Sequence, residues 1–223
     1  MGWGDPAQGG LWFLGLEEAG ESQEQDIIEL QQRLIGRLYE PIGAGQLRKN
    51  YEAYCSDGKR YTATNLIMSK IAICSGFEKE FEDPREYWFG RLFQEGSKVF
   101  QSNLYPLGKK RWDEELPPHY KDLFGFENNK ESQKRYEKTV SDTRWKLLKD
   151  LWDKQKPSAT ICFGKIGWPT FRDIFELQEP RDKNHGMEFY EQQRVVLTPF
   201  FVSHQMSDER IDKLSETLKK WLS

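Results

Sequence analysis

Short apolar runs alternate with segments of helical periodicity along this chain. Runs of about four to eight mainly apolar residues that end at turn residues are typical of strands buried on both faces of a sheet. Such segments occupy positions 11–14, which end at Gly15, 99–103, 159–163, which end at Gly164, and 195–202. The pattern therefore predicts four strands.

Helix signals separate the predicted strands. Ser22 with Gln25 forms a capping box, and Asp83 followed by Pro84 is a second strong start signal. Apolar residues at helical spacing follow each start, and the ends are marked by glycine or proline. The predicted helices cover 22–38, 64–76 with Thr64 as the N-cap, 83–96, 132–154, 168–175, and 207–222 with Ser207 as the N-cap.

Strands that alternate with helices predict an α/β protein. We expect a three-layer sandwich with a central, mainly parallel four-stranded sheet, because the connecting helices must cover both faces of the sheet. A chain of 223 residues is long enough for one such domain. We therefore expect a single domain over 1–223, with a helical insertion near 41–98 and a polar loop plus a long helix near 107–156.

Composition and charge exclude several classes of protein. The 33 basic and 36 acidic residues give a net charge of -3, which argues against a disordered polyelectrolyte and against a globally basic nucleic-acid binder. No apolar stretch approaches the roughly 20 residues of a membrane helix, and the first residues lack a secretory signal. The three cysteines have no metal-site spacing. We expect a cytoplasmic protein without a metal or cofactor and without a membrane partner.

Candidate chemistry concentrates just after each predicted strand. In parallel sheets, ligands bind at the carboxyl ends of the strands. The segments that follow the four strands are 15–20, 103–111, 164–168 and 203–207. They contain adjacent carboxylates, an asparagine, several cations and a histidine, so this edge is the expected site.

These four segments, taken in order, resemble the motifs of the uracil-DNA glycosylase superfamily. The stretch FLGLEEAG at 13–20 is similar to the first motif, and VFQSNLYP at 99–106 is similar to the second strand and its Pro-containing loop. TICFGK at 160–165 resembles the third strand, and 197–207 resembles the strand before the last loop. Three features depart from the family pattern. Glu17 stands where Asp or Asn is usual, the last loop HQMS lacks proline, and three cysteines cannot hold the iron–sulfur cluster of one branch.

The resemblance implies a monofunctional, monomeric DNA glycosylase with DNA as its partner and no iron–sulfur cluster. Such an enzyme flips a base out of DNA and hydrolyses its N-glycosidic bond. The implied catalytic residues are Glu17, with Glu18 as the alternative, and His204. The implied base-binding residues are Gly15, Leu16, Asn103 and a stacking tyrosine such as Tyr54, with Tyr39 and Tyr51 as alternatives. The implied DNA contacts are Lys109, Lys110, Arg111, Lys165, Gln205, Met206 and Ser207.

Simpler interpretations stand beside these assignments. Glu17 and Glu18 could favour only the positive end of the next helix, Asn103 could be an ordinary turn residue, and Met206 could pack in the core. The altered motifs also suggest a rebuilt pocket for a bulky base, such as a hypermodified phage cytosine in anti-phage defence. Two other classes stay open: a non-catalytic nucleic-acid-binding relative, and a nucleoside hydrolase or transferase.

Overall fold

The computed structural model describes residues 2–19, 63–93, 97–109, 129–180, 182–202 and 204–222. The helix predicted at 22–38 lies outside these residues. Within them, the strands form one seven-stranded mixed sheet with the order β1-β3-β2-β4-β7-β6-β5. The strands are β1 Gly2–Trp3, β2 Leu11–Ala19, β3 Val99–Lys109, β4 Ala159–Phe163, β5 Asp182–Asn184, β6 Met187–Tyr190 and β7 Val195–Thr198.

The four predicted strands form the parallel centre of this sheet. Strand β2 pairs in parallel with β3 and β4, and β4 pairs in parallel with β7. The predicted total of four strands is wrong, since β1, β5 and β6 join the edges in antiparallel pairs. These strands have two to four residues, and the acidic Glu188 interrupts the apolar pattern of β6. The α/β class and the parallel centre are confirmed.

Two central strands are longer than their apolar runs. Strands β2 and β3 continue as a parallel pair beyond Gly15, through the registers Glu17 with Tyr105 and Ala19 with Lys109. Strand β4 ends at Phe163, as predicted. Strand β7 ends at Thr198 rather than near position 202, since Pro199 follows and lacks the N–H of a ladder residue. The β2–β3 pair therefore extends past its neighbours.

The helices of the described residues are α1 Ala63–Cys74, α2 Pro84–Gly90, α3 Asn129–Val140, α4 Lys146–Gln155, α5 Trp168–Ile174 and α6 Asp208–Leu222. The N-cap predicted at Asp83 is confirmed, because its side chain accepts a 2.8 Å hydrogen bond from the backbone of Arg85. The prediction for Thr64 is wrong. Thr64 lies inside the first turn of α1, and its hydroxyl donates to the carbonyl of Phe201 at 3.2 Å.

A five-residue π segment, Ser141–Trp145, joins α3 to α4. The sequence predicts one uninterrupted helix here. Hydroxyl groups satisfy nearby carbonyls, since Ser141 donates to Lys138 at 2.8 Å and Thr143 donates to Thr139 at 2.6 Å. Side-chain bonds of this kind compete with the regular helical ladder. The wider turn changes which residues face the sheet.

Helices cover both faces of the parallel centre. One apolar cluster packs Phe13, Ile161 and Phe163 of the sheet against residues of α1, α2 and α6. The other packs Trp12, Leu14 and Cys162 against residues of α3, α4 and α5. Each fully buried side chain of this size contributes about 1.5–3 kcal/mol. Successive strand residues thus alternate between two cores, as expected for strands with helices on both sides.

Candidate functional site

Three adjacent parallel strands bring together Gly15 of β2, Asn103 of β3 and Phe163 of β4. At this level β4 ends and β2 no longer pairs with it. Gly15 of β2 pairs with Asn103 of β3, and the β2–β4 ladder ends at Leu14 with Cys162. A β-carbon added to Gly15 would overlap the side-chain oxygen of Asn103 and would lie 2.8 Å from Cζ of Phe163. Glycine is therefore required here for the amide and the ring to approach the backbone.

The side-chain amide of Asn103 is the unusual group in this cluster. Asn103 is only 8% exposed. Among the described residues, hydrogen bonds reach its backbone carbonyl but not its side-chain amide. The side-chain carbonyl and NH₂ of Asn103 are complementary to the hydrogen-bonding edge of a nucleobase. The edge of the sheet therefore carries a polar group that can form hydrogen bonds with a base.

Arg144 of the π segment fixes the backbone of Asn103. Its Nε and Nη2 donate to the Asn103 carbonyl at 3.0 and 2.9 Å, and Nη2 also donates to the Ser102 hydroxyl at 3.0 Å. Burial lowers the pKa of the Arg144 guanidinium to about 10. The group remains charged near neutral pH, because that value is still well above 7. A charged donor on the backbone holds the middle of β3 in one position.

Aromatic rings line the same edge. Phe163 stacks on Phe201 with centroids 4.6 Å apart and planes at 15°, and it meets Phe200 at 5.9 Å and 60°. Phe163 and Phe201 are buried, whereas Phe200 is partly exposed. Gly164 has a φ of 101°, and a β-carbon there would lie 3.7 Å from the Phe200 ring. Phe200 is the partly open aromatic surface beside Phe163.

Glu17 and Glu18 occupy strand positions rather than a loop. The sequence places them after the first strand, but β2 continues through both and ends at Ala19. The extended pair with β3 explains the difference, since Glu17 is in register with Tyr105. Their side chains lie outside the described part of the structure. The backbone of Glu17 is two residues beyond Gly15.

His204 and Gln205 lie in the loop before α6. His204 is exposed, and its Nε2 is 3.4 Å from Nε2 of Gln205. The side-chain oxygen of Gln205 accepts from the backbone of Phe200 at 3.1 Å. The loop is thus tied to the aromatic edge through Gln205. Ser207 precedes α6, and its hydroxyl accepts a 3.4 Å bond from the backbone of Arg210, in agreement with the predicted N-cap.

Two of the predicted contact residues, Met206 and Leu16, have buried side chains. Met206 is 3% exposed and packs in the core with Phe163 and Phe201, so its side chain is not available to DNA in this conformation. The side chain of Leu16 belongs to the opposite core and approaches Gly167, so it faces away from Asn103. In both cases an apolar side chain near a strand end is satisfied by packing. The loop after β4 exposes a different apolar residue, Ile166, at 63%.

The predicted cations are only partly described. Lys165 is exposed, and its ammonium lies 5.6 Å from the ring centre of Trp168. Lys109 is the last residue of β3, and its side chain is not described. Tyr39, Tyr51, Tyr54, Lys110 and Arg111 lie outside the described residues. Of the lysines and the arginine predicted to contact phosphates, Lys165 is the one whose side chain lies in the described part of the structure.

Sequence reasoning missed Phe163, Phe200, Arg144 and Arg210. The two phenylalanines resemble ordinary core residues in apolar runs, and only Pro199 indicates that Phe200 follows the end of its strand. Arg144 is hidden among the charges of a polar helix. Arg210 approaches the edge because its Nε donates to the carbonyl of His185 at 2.8 Å, across a hairpin that the sequence pattern does not reveal.

A second polar cluster supports the β5–β6 hairpin. Glu188 accepts from Arg172 at 2.7 Å and from the Tyr190 hydroxyl at 2.8 Å, and Arg172 Nε donates to that hydroxyl at 3.1 Å. Burial alone would raise the pKa of Glu188, but the bonds from Arg172 and Tyr190 outweigh it and lower the pKa. This closed network has a clear structural role in holding β6 against α5.

Other reactive groups contribute little to the site. Burial raises the pKa of the Cys162 thiol well above its usual range, which disfavours a nucleophilic thiolate. Within the described part of the chain, no group of histidine, cysteine, aspartate and glutamate side chains is arranged to hold a metal ion. No helix among these residues is long and apolar enough to span a bilayer.

The sequence matches no known family model and no curated protein.

Proposed function

We propose that this protein is a DNA glycosylase of the uracil-DNA glycosylase superfamily. It takes a flipped base into the edge formed by Gly15, Asn103 and Phe163 and hydrolyses its N-glycosidic bond. The observation that carries the proposal is the Asn103 side chain, which approaches the Gly15 backbone and makes no amide hydrogen bond among the described residues. The ordered resemblance of the four strand-end motifs supports the same conclusion.

Base recognition rests on Asn103 and its aromatic surroundings. The amide carries both donors and an acceptor, so it can pair with a base edge that presents a carbonyl beside an N–H. Arg144 holds the Asn103 backbone and thereby limits the positions of the amide. Phe200 supplies a partly exposed ring for contact with the base face. These features favour a planar, polar ligand over an aliphatic one.

Glu17 is the proposed catalytic carboxylate. It orients a water molecule toward the sugar and stabilises the positive charge that develops there. Water gives a proton to Glu17 as its oxygen adds to C1′ of the sugar and the C1′–N bond breaks, and the base leaves with the bonding electrons and takes up a proton. His204, exposed in the loop tied to Phe200 through Gln205, is the proposed donor toward the departing base.

The test is strand nicking after alkali treatment of duplexes that carry uracil, a thymine mismatch or a bulky modified cytosine. Wild-type protein is expected to produce an abasic site in at least one of these duplexes. Glu17→Gln is expected to lower the rate by about 10²–10⁴-fold with a nearly unchanged thermal melt. The change removes the carboxylate that acts as the general base but keeps the size of the side chain. Glu18→Gln is the matched control.

The outcomes separate the proposal from its rivals. Loss of activity in Glu18→Gln but not in Glu17→Gln would transfer the catalytic role to Glu18. An absence of abasic product from every duplex, together with hydrolysis of free nucleosides, would overturn the glycosylase proposal in favour of a small-molecule enzyme. Binding of DNA without product from any substrate would favour a non-catalytic relative. Activity confined to modified cytosine would assign a role in defence against phage DNA.

A further inference from the structure

Two cations converge on the turn of the β5–β6 hairpin. The turn is formed by His185 and Gly186, and Gly186 has a φ of 72°. A β-carbon at Gly186 would lie 3.5 Å from Nζ of Lys165 and 3.6 Å from Nη2 of Arg210. Both cationic groups therefore lie within 3.6 Å of one point above a residue that has no side chain.

Arg210 is held in place for this arrangement. Its Nε donates to the His185 carbonyl at 2.8 Å, and its Nη1 donates to the Gln205 carbonyl. Both bonds are to neutral acceptors, so they orient the guanidinium without cancelling its charge. Nη2, the nitrogen near Gly186, makes no hydrogen bond within the described residues.

Neither cation has a carboxylate partner in the described part of the chain. Lys165 contacts the Trp168 ring at 5.6 Å, and this neutral ring does not balance the charge of the ammonium as a carboxylate among the described residues would. The nearby Glu209 carboxylate lies 3.5 Å from Nδ1 of His185. Two like charges held close together repel each other, so an anion between them would be stabilised by both.

We infer that Lys165, Arg210 and the open turn at Gly186 form a phosphate-binding site that holds the DNA backbone beside the base pocket. Lys165 is two residues beyond Phe163, and Arg210 is bonded to the loop that carries His204 and Gln205. Phosphate contacts position a protein on DNA without reading its sequence. This inference rests on the proposed function, since it places the phosphodiester of the flipped nucleotide or of its neighbour.

Lys165→Gln is the direct test, with Lys154→Gln as the control. Lys154 is an exposed lysine in the last turn of α4, before the opposite end of β4, so the control removes the same charge far from the hairpin. Binding of a fluorescent, unmodified duplex is measured by anisotropy at several salt concentrations. Loss of one phosphate contact should reduce the slope of log affinity against log salt by about 0.9. Over a fourfold rise in salt, wild type should lose about 3.5-fold more affinity than Lys165→Gln.

A second variant separates the loss of the phosphate site from the loss of folding. Arg210→Lys keeps a positive charge but loses the planar group that reaches His185, Gln205 and the turn. It should weaken duplex binding, whereas a thermal melt reports whether α6 and the hairpin remain folded. Equal binding by Lys165→Gln and Lys154→Gln at all salt concentrations would overturn the inference.

The source of the phosphate is tested with inorganic phosphate as a separate probe. If phosphate raises the melting temperature of wild type but not of Lys165→Gln, while duplex binding is the same in both, the site takes a free anion and the DNA assignment is wrong. If duplex binding depends on Lys165 but no base is excised from any substrate, the phosphate site stands and the glycosylase proposal fails.

Discussion

At the scale of single residues, Asn103 is the polar side chain that approaches the Gly15 backbone at the edge of the sheet. Its amide makes no hydrogen bond among the described residues, so its donors and acceptor are open to a ligand. The residue was predictable from the sequence because it ends a strand-like segment. Phe163 was not, since a phenylalanine in an apolar run has the same pattern whether or not it lines a site.

Replacement of the Asn103 amide should affect stability and activity differently. Asn103→Leu should change the free energy of unfolding by no more than about 1 kcal/mol, because an apolar side chain of similar shape replaces an amide that makes no hydrogen bond among the described residues. The same change should abolish base excision. Urea unfolding and the nicking assay measure the two effects. A loss of more than about 2 kcal/mol of stability would mean that the amide has a structural partner.

At the scale of elements, the limits of a strand can be predicted from the sequence where the strand's own apolar residues stabilise it. Strand β4 is buried by its own apolar residues, so the sequence predicts its limits. Strand β6 contains Glu188, whose charge is compensated by Arg172, a residue 16 positions away in the chain. The end of β2 likewise includes Glu17 and Glu18, in a segment that pairs with β3 among the described residues. Polar strand residues satisfied through tertiary contacts cannot be recognised from a local pattern.

The hairpin network gives a pH-dependent prediction. The pKa of Glu188 is lowered in the folded protein, so its ionised form adds stability above its ordinary pKa of 4.5, and that stability is lost as the pH falls through the folded value. Glu188→Gln should therefore be less stable than wild type at neutral pH by about 1 kcal/mol. The difference should shrink as the pH is lowered below the ordinary pKa of a glutamate. Chemical unfolding across this pH range measures it, and a constant difference would contradict the role of the charge.

At the scale of the whole molecule, a small net charge conceals local asymmetry. A net charge of -3 excludes a globally basic binder. The carboxyl edge of the sheet nevertheless holds Lys165 and Arg210 without carboxylate partners in the described residues. Acidic groups elsewhere repel DNA over longer distances, but that repulsion is screened within about 10 Å at moderate salt. Association should therefore depend on the orientation in which this edge meets DNA.

The extension of β2 beyond β4 has a consequence for local dynamics. The pairing with β4 ends at Leu14, whereas the pairing with β3 continues to Ala19. Successive strand residues direct their amides to opposite sides. The register between β2 and β3 shifts between Glu17 and Ala19, so regular alternation is expected over 15–17. Neighbouring amides over 15–17 should therefore differ, because those bonded to β3 should exchange slowly with deuterium and those directed away from β3 should exchange quickly. A ligand at Gly15 should slow the fast exchange, and uniform protection without ligand would contradict this one-sided pairing.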